Sequence, residues 1–346
     1  MASKGVLSFG SKSGSQKASL YQRYPGLIWS YLPSVEKQAD VAVAHLCSKV
    51  VGKTVVAGDL TGKPRKHGVQ RTTDPNFPQL TFFADLVKQG LKRCGASFTE
   101  ATFPVHGVQS QVAHSDSQAV YAKRNMSTFQ QRGVTSIVWA GGWEKDQTAA
   151  ATQLKYFPEW IVAGDGVHEA VGRGQDQDQQ QWSHSFVTTQ VTRVEAGADA
   201  QNDCVSALQE VDPSVGERDT FWGCFDMPWY RDIRQLFNGI QVAGPRLTPE
   251  TIDHGFHAIP PVASNDPHYP GCYYDPGDFT CVKDATVMYW DPLKTAPGNQ
   301  APGCYRMIED GRRYTDKTWP GGNVDAQIRA ARDEVCNAYD ITVSAF

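Results

Sequence analysis

The stretch from Gly133 to Gly166 constrains this chain most: two short apolar runs, each closed by glycine, flank a segment of helix length. Val134, Ile137 and Val138 form the first run, and Trp160 to Ala163 the second. Neither alternates apolar with polar side chains, which is the pattern of strands covered on both faces. A strand, a helix and a further strand in that order build a parallel pair with a right-handed crossover. The glycine-bearing segments Gly141-Gly142-Trp143-Glu144 and Gly164-Asp165-Gly166 then stand at the carboxyl ends of their strands. Ligands of open parallel sheets sit at those ends. Trp143 and Asp165 are therefore the first candidates for a site.

The alternation continues on both sides. Ser34 reads as the N-cap of a helix with Val41, Ala44 and Val50 at helical spacing. Lys53 to Ala57 reads as a strand ending at Gly58-Asp59. Gly62 to Pro78, rich in Gly, Pro, Lys and Arg, reads as a long surface loop. Its basic residues from Lys63 to Arg71 could attract an anion, though a solvated loop is the plainer reading. Phe82 to Cys94 has a helical pattern closed by Gly95, Ser97 to Phe103 is strand-like, and Gln118 to Arg132 is a helix closed by Gly133. Ser185 to Val191 is the last strand of the series, and the Gln/Asp run from Gln175 to Gln181 reads as an exposed connection. This succession predicts an α/β fold with a parallel sheet and helices on both faces.

Outside the series, Gly5 to Phe9 and Leu27 to Ser30 are short strands, the first followed by the small-residue loop Gly10-Ser11-Lys12-Ser13-Gly14-Ser15. A helix from Pro228 to Ile240 carries Trp229, Ile233, Leu236, Phe237 and Ile240 on one face, and Thr248 with Pro249 opens another. Ala285 to Trp290 and Cys304 to Ile308 read as a late hairpin, and Val324 to Tyr339 as a helix.

With 346 residues there is room for two domains with cores of their own. A net charge of -4 with no basic face argues against nucleic acid as a partner. No apolar run is long enough to span a bilayer, and Met1 to Leu7 lacks the apolar core of a signal peptide. The eight cysteines contain no C-x-x-C pair, so neither a zinc ribbon nor a thioredoxin-like site is indicated. Several lie in loop-like sequence, which suits disulfides and an oxidising compartment. Cys47 with Cys94, and Cys272 with Cys281, are the first pairs to try because each brackets one local unit. For catalysis the available groups are Asp165, His168, Glu169, His184 and the Asp275-Pro276-Gly277-Asp278 turn. No H-E-x-x-H, G-x-S-x-G or P-loop organises them, and no catalytic set, metal site or cofactor is expected.

Several segments together resemble the solute-binding proteins of bacterial ABC importers, of the type I periplasmic class that includes the branched-chain amino-acid binders. They are Gly5 to Gly10, the W-S-Y-L-P-S turn with its helix, Gly52 to Val56 ending in Asp59, and Gly133 to Asp165 with its Y-F-P-E-W-I-V-A-G-D-G. Leu236 to Gln241 and Ala243 to Pro249 extend the likeness, which runs to Arg313 and rests on the order of the segments.

The resemblance implies two three-layer α/β/α lobes joined by a hinge, with the ligand between them. Residues 1–33 and 220–260 would belong to lobe I, and 34–212 and 264–346 to lobe II. By position, Gly10, Ser11 and Ser13 match a ligand-facing loop of lobe I. Trp143 matches the aromatic residue that covers the ligand, and Asp165 the carboxylate that pairs with an ammonium. A buried carboxylate meets such a cation through charge-assisted hydrogen bonds, and an indole face packs on its aliphatic part or on the charge. The implied role is non-catalytic: an extracytoplasmic receptor, in the periplasm or at the cell surface, that takes a small polar ligand of the amino-acid or amide class to an ABC permease. Relatives carry further first-lobe residues before the strand matching Val6 to Phe9, so lobe I is expected to be incomplete. The helix face of Trp229, Ile233, Leu236, Phe237 and Ile240 would then pack on a second chain or bound a small lobe. The alternative role is a structural or interaction subunit, or a sensor domain.

Overall fold

In the computed structural model, β1 (Ser8–Phe9) and β2 (Ile28–Trp29) pair in parallel around α1 (Ala18–Arg23). The described residues are 2–10, 15–75, 78–103, 115–140, 145–164, 169, 171–190, 203–214, 229–262, 270–296, 301–324 and 336–337. After β2 the chain enters α2 (Val35–His45), capped by the Ser34 hydroxyl, which accepts from Lys37 N, and prolonged by a π-helical turn over Leu46–Val50.

A large sheet follows. Its parallel part holds β3 (His67–Thr72), β4 (Phe98–Phe103), β5 (Ser136–Trp139), β6 (Glu159–Val162) and β7 (Ser185–Thr189), in the spatial order β4-β3-β5-β6-β7. Beyond β7 the sheet continues antiparallel with β8 (Asp284–Asp291), β9 (Cys304–Met307) and, past β10 (Tyr314–Thr315), which pairs with β8, β11 (Cys336–Asn337). The crossovers are α3 (Pro78–Arg93), α4 (Ser115–Gln131), α5 (Lys145–Gln153), and the short α6 (Val171–Gln175) and α7 (Gln179–Trp182). Later come α8 (Asp203–Val211), α9 (Trp229–Ala243) and α10 (Pro249–His257).

Each strand feeds two cores. Val69, Val138, Ile161 and Phe186 face α2 and α3, whereas Ile137, Trp139, Val162 and Val187 face the α4 side. This two-sided burial is why the apolar runs do not alternate. Ile161 and Phe186 are wholly buried, and each contributes about 1.5–3 kcal/mol of hydrophobic stabilisation. A third core belongs to the β1–β2 unit: Trp29 stacks on Phe256 at 4.4 Å between ring centres, with Tyr274 and Phe279 packed edge-on.

Two buried ion pairs fix the frame. Glu159 accepts from Arg65 Nε at 2.7 Å and Nη2 at 2.9 Å, from Ser136 Oγ at 2.8 Å and from Val56 N at 3.0 Å. Asp284 accepts from Arg313 Nε at 2.7 Å and from Gly271 N at 2.8 Å, while Arg313 Nη2 also donates to Gln190 O at 3.0 Å. The second pair ties the exit from β7 to the entry into β8. Ser30 N donates to Phe279 O, and Val282 N to Tyr31 O, so the returning chain lies along the outgoing one.

Cys47 and Cys94 are paired with Cα atoms 5.8 Å apart, and Cys272 and Cys281 at 4.6 Å. A third pair, Cys304 with Cys336, was not anticipated; its Cα separation is 5.7 Å.

Four sequence expectations need correction. Lys53 to Ala57 is no strand: the third strand of the chain is His67–Thr72, inside the stretch read as a surface loop. Only Val69 in it is a large aliphatic, yet His67, Gln70 and Thr72 are buried with it. Gly58-Asp59 consequently lies at the amino end of the sheet, not at a carboxyl end. Cys336–Asn337 is a strand rather than part of a helix. Finally, the Gln/Asp run is only partly exposed: Asp176 and Gln180 face solvent, but Gln177 and Gln181 are buried. Gln181 accepts from Trp160 Nε1 at 3.0 Å and Gln179 from Trp290 Nε1 at 2.8 Å, so these amides satisfy indole N–H groups.

Candidate functional site

Strand order selects one place on the large sheet. From β3 the chain moves outward to β4, and from β5 it moves the other way to β6 and β7. The connections leaving β3 and β5 diverge at their carboxyl ends, and in open α/β sheets a ligand crevice forms at such a reversal. Gln70 and Trp139 are register partners across this junction.

Both side chains lie on the α4 side. A methyl on Gly68 would meet Phe129 and Val134 at 3.0 Å, and the strand period of two sends Gln70 to that same face. Trp139 packs there against Phe103, with ring centres 5.4 Å apart. Gln70 is wholly buried, and neither Oε1 nor Nε2 has a hydrogen-bond partner; Trp139 Nε1 has none either. An unmet buried donor or acceptor costs about 1–3 kcal/mol. Three such atoms on adjacent strands make this junction the candidate place for a further group.

The next carboxyl ends are held from α2. Gly164, directly after β6 and Ala163, has φ +80°, and a Cβ there would fall 2.1 Å from Thr188 O, so glycine is required. Gln38 Nε2 donates to Gly164 O at 2.7 Å. Below it, Thr188 Oγ1 and His45 Nδ1 are 2.7 Å apart. Burial, aided by the Lys49 and Arg65 cations, pushes the His45 pKa down to about 3, so its imidazole is neutral.

The β1–β2 unit presents a carboxylate at its own carboxyl edge. Gly10 follows β1 with φ +83°, and a Cβ there would meet Asp232 Oδ2 at 2.7 Å. Asp232, in the first turn of α9, accepts from Tyr31 N, and its Oδ1 has no partner. Burial raises its pKa to about 6, against the opposing pull of that hydrogen bond. Sequence reading passed over Asp232. The available signal was a carboxylate four residues before Leu236, on the side of α9 that packs inward.

Of the residues singled out in the sequence, Gly10 lies at this edge. Ser11, Ser13, Trp143 and Asp165 lie outside the described residues, as does His168. Asp165 is the residue after Gly164, and Trp143 falls in the connection leaving β5. Glu169 is buried near the β6 end: its Oε1 lies 3.7 Å from the Cβ position of Gly164. His184 precedes β7 at the opposite end of the sheet, beside Gly58, and burial lowers its pKa. Asp278 pairs with Lys283 and accepts from Thr280, a turn-building role. Among the described residues of this set, Gly10, Glu169, His184 and Asp278 are not gathered into one constellation. Among the described residues no cluster of His, Cys, Asp and Glu is arranged to hold a metal ion. No described helix is long and apolar enough to cross a membrane.

No family model and no curated protein matches the sequence. Solved structures do. The leucine-, isoleucine-, valine-, threonine- and alanine-binding protein from Brucella ovis, in its closed conformation, superposes with a TM-score of 0.55 at 10% identity, over 86% of this chain and 67% of that one. This is the fold of the type I periplasmic binding proteins. An ABC-transporter substrate-binding protein from Aeropyrum pernix shares it with a TM-score of 0.53 at 10% identity, over 89% of this chain and 70% of that one. An extracellular ligand-binding receptor from Verminephrobacter eiseniae gives 0.51 at 9% identity, over 82% and 71%. At such identities the periplasmic-binding fold is the shared property, and residue roles have to be argued from this chain.

Proposed function

We propose that this chain is the solute-binding component of an ABC importer, closing two lobes around a small polar ligand without catalysis. The observation that carries the reading is the unmet polar trio of Gln70 Oε1, Gln70 Nε2 and Trp139 Nε1 at the strand-order reversal. A bound carboxylate, carboxamide or ammonium would supply those partners once closure excludes water. Trp143 follows β5 and Asp165 follows the neighbouring β6, the indole covering the ligand and the carboxylate holding its ammonium. Gly10, Ser11 and Ser13 face them from lobe I. Residues 1–33 and 220–260 form lobe I, and 34–212 and 264–346 form lobe II. Closure is a hinge motion biased by contacts made only in the closed state. Its partners are a membrane permease and an amino acid or amide. The three cysteine pairs favour an extracytoplasmic location, because disulfides persist in oxidising compartments.

A thermal-shift screen against amino acids, amides and polyamines tests the reading. A binder at 100 times its Kd stabilises by about 2.7 kcal/mol, an unmistakable shift. Asp165→Ala is expected to abolish the response to amines. A flat response to the whole panel would overturn the assignment.

A second reading has one observation in its favour. Ile233 and Phe237, one turn apart on α9, are 52% and 60% exposed. A second chain covering that face would make this an interaction subunit. Light scattering of the wild type and of Phe237→Ser distinguishes the two, since only the second reading requires a dimer that the substitution dissolves.

A further inference from the structure

A cavity of about 570 Å³ opens at the amino end of the large sheet, on the far side from the strand-order reversal. It is lined by the residues leading into β3, β5 and β6, so the proposed ligand cleft cannot include it. Three lysines, Lys63, Lys66 and Lys155, border it, and Asp59 is the only carboxylate among its lining residues. The balance is cationic in a protein whose net charge is -4. None of the three lysines forms an ion pair among the described residues, whereas Lys88 and Lys283 elsewhere do. Lys66 reaches over the start of β5, its Nζ 3.8 Å from the Cβ position of Gly133.

Lys155 supplies an independent observation. It ends α5 with φ +51°, in the left-handed region, with Lys155 N donating to Thr152 O at 2.9 Å and Tyr156 N to Ala151 O at 3.0 Å. This helix-ending motif favours glycine. The chain uses glycine at the equivalent positions after α3 and α4, Gly95 with φ +82° and Gly133 with φ +66°. At 155 alone a long cationic side chain takes the strained place, and it borders the cavity. Two aromatic residues, Tyr156 and Phe157, also line the cavity. Tyr156 is buried, with its hydroxyl committed to Val134 O at 2.8 Å, and Phe157 lies beside it.

We propose that this cavity is a second binding site, for an organic anion: a carboxylate, sulfonate or phosphate held by Lys63, Lys66 and Lys155, carried on an aromatic or aliphatic body that packs against Tyr156 and Phe157. The volume suits one small molecule, and apolar walls strengthen ion pairing at the rim by excluding water. The left-handed Lys155 trades helix-end stability for a third cation at the anion's position.

Anilinonaphthalene sulfonate is the test probe, an anion on an aromatic body, titrated by fluorescence into the full chain at neutral pH. Saturable binding at one equivalent is expected, weakened by added salt. The triple variant Lys63→Gln, Lys66→Gln, Lys155→Gln should bind about tenfold or more weakly and lose most of the salt dependence. Lys155→Gly is the sharper test: affinity should fall while the melting temperature rises, a combination that a merely structural residue would not give. Lys155→Arg should retain binding. The proposal is overturned if the charge variants bind the probe as the wild type does. It is equally overturned if no saturable binding occurs, or if Phe237→Ser rather than the lysine changes removes the signal.

Discussion

The two ends of the large sheet are made by the same strands, yet they treat buried polar groups in opposite ways. At the amino end, Glu159 receives four hydrogen bonds, from Arg65, Ser136 and Val56. Arg65 spends its remaining donor on Asn323 and on the carbonyls of Lys49 and Val50. At the carboxyl end, Gln70 and Trp139 leave three atoms unmet, and Asp232 on the β1–β2 unit leaves a fourth. Single ring nitrogens of His67 and His184 and the hydroxyl of Ser185 are also unmet at the amino end, but burial lowers both histidine pKa values, that of His67 to about 4, so no charge is stranded. The charged groups buried at the amino end are paired, and the cavity there offers lysines at its border, whereas at the carboxyl end the unmet groups are the buried amide and indole themselves. A protein that must bind at one end of its sheet has to hold the other end rigid.

The largest effect expected from this contrast is at Glu159. Removing it by Glu159→Ala strands a wholly buried guanidinium and should cost about 3–5 kcal/mol in urea unfolding. Ligand affinity of the protein that remains folded should not change. A cost below about 1 kcal/mol would mean that water reaches Arg65.

Asp232 comes next, through pH. Its pKa in the folded protein is about 6, above the ordinary 3.8, so between those values the folded chain holds a proton that the unfolded chain has released. Stability from this group is full below the unfolded value and falls as pH rises through about 6, by roughly 2–3 kcal/mol. Urea midpoints measured across that window should fall for the wild type. Asp232→Asn keeps an acceptor for Tyr31 N and should flatten the profile, leaving the variant the more stable above the window. A profile unchanged by the substitution would remove Asp232 from the unmet groups of the carboxyl end. Ligand that brings a cation to Asp232 should reverse the sign, stabilising the ionised form.

The same contrast explains what was legible in the sequence. β5 and β6 could be read because Ile137, Val138, Trp160 and Ile161 are apolar on both faces. α3 and α4 could be read from apolar spacing and from Gly95 and Gly133, which close them. β3 could not. Its buried residues include His67, Gln70 and Thr72, whose burial depends on neighbours far away in the chain, and a polar segment between glycines and prolines reads as a loop. The glutamines of α7 misled for the same reason, since the indoles that need them lie on other strands. Asp232 was hidden by the amphipathic pattern around it. Local pattern reports apolar burial well; it does not report a polar residue that is buried for a distant partner or for a ligand.

Gln70 carries the smallest expected change in stability and the most informative one. Gln70→Met keeps the length of the side chain and removes an amide whose hydrogen bonds are unmet in the structure. If the amide waits for a ligand, the free protein should be equally stable or firmer by about 1 kcal/mol, because no bond is lost and a desolvated dipole disappears. Ligand affinity should meanwhile fall by about tenfold, the value of one good hydrogen bond. Trp139→Phe should behave alike through the loss of its indole N–H, with some packing cost from the smaller ring. A structural amide would give the opposite pair of results, a loss of stability in Gln70→Met with affinity intact. The carboxyl end would then resemble the amino end, and the difference between them would lie in the strand connections rather than in the buried polar groups.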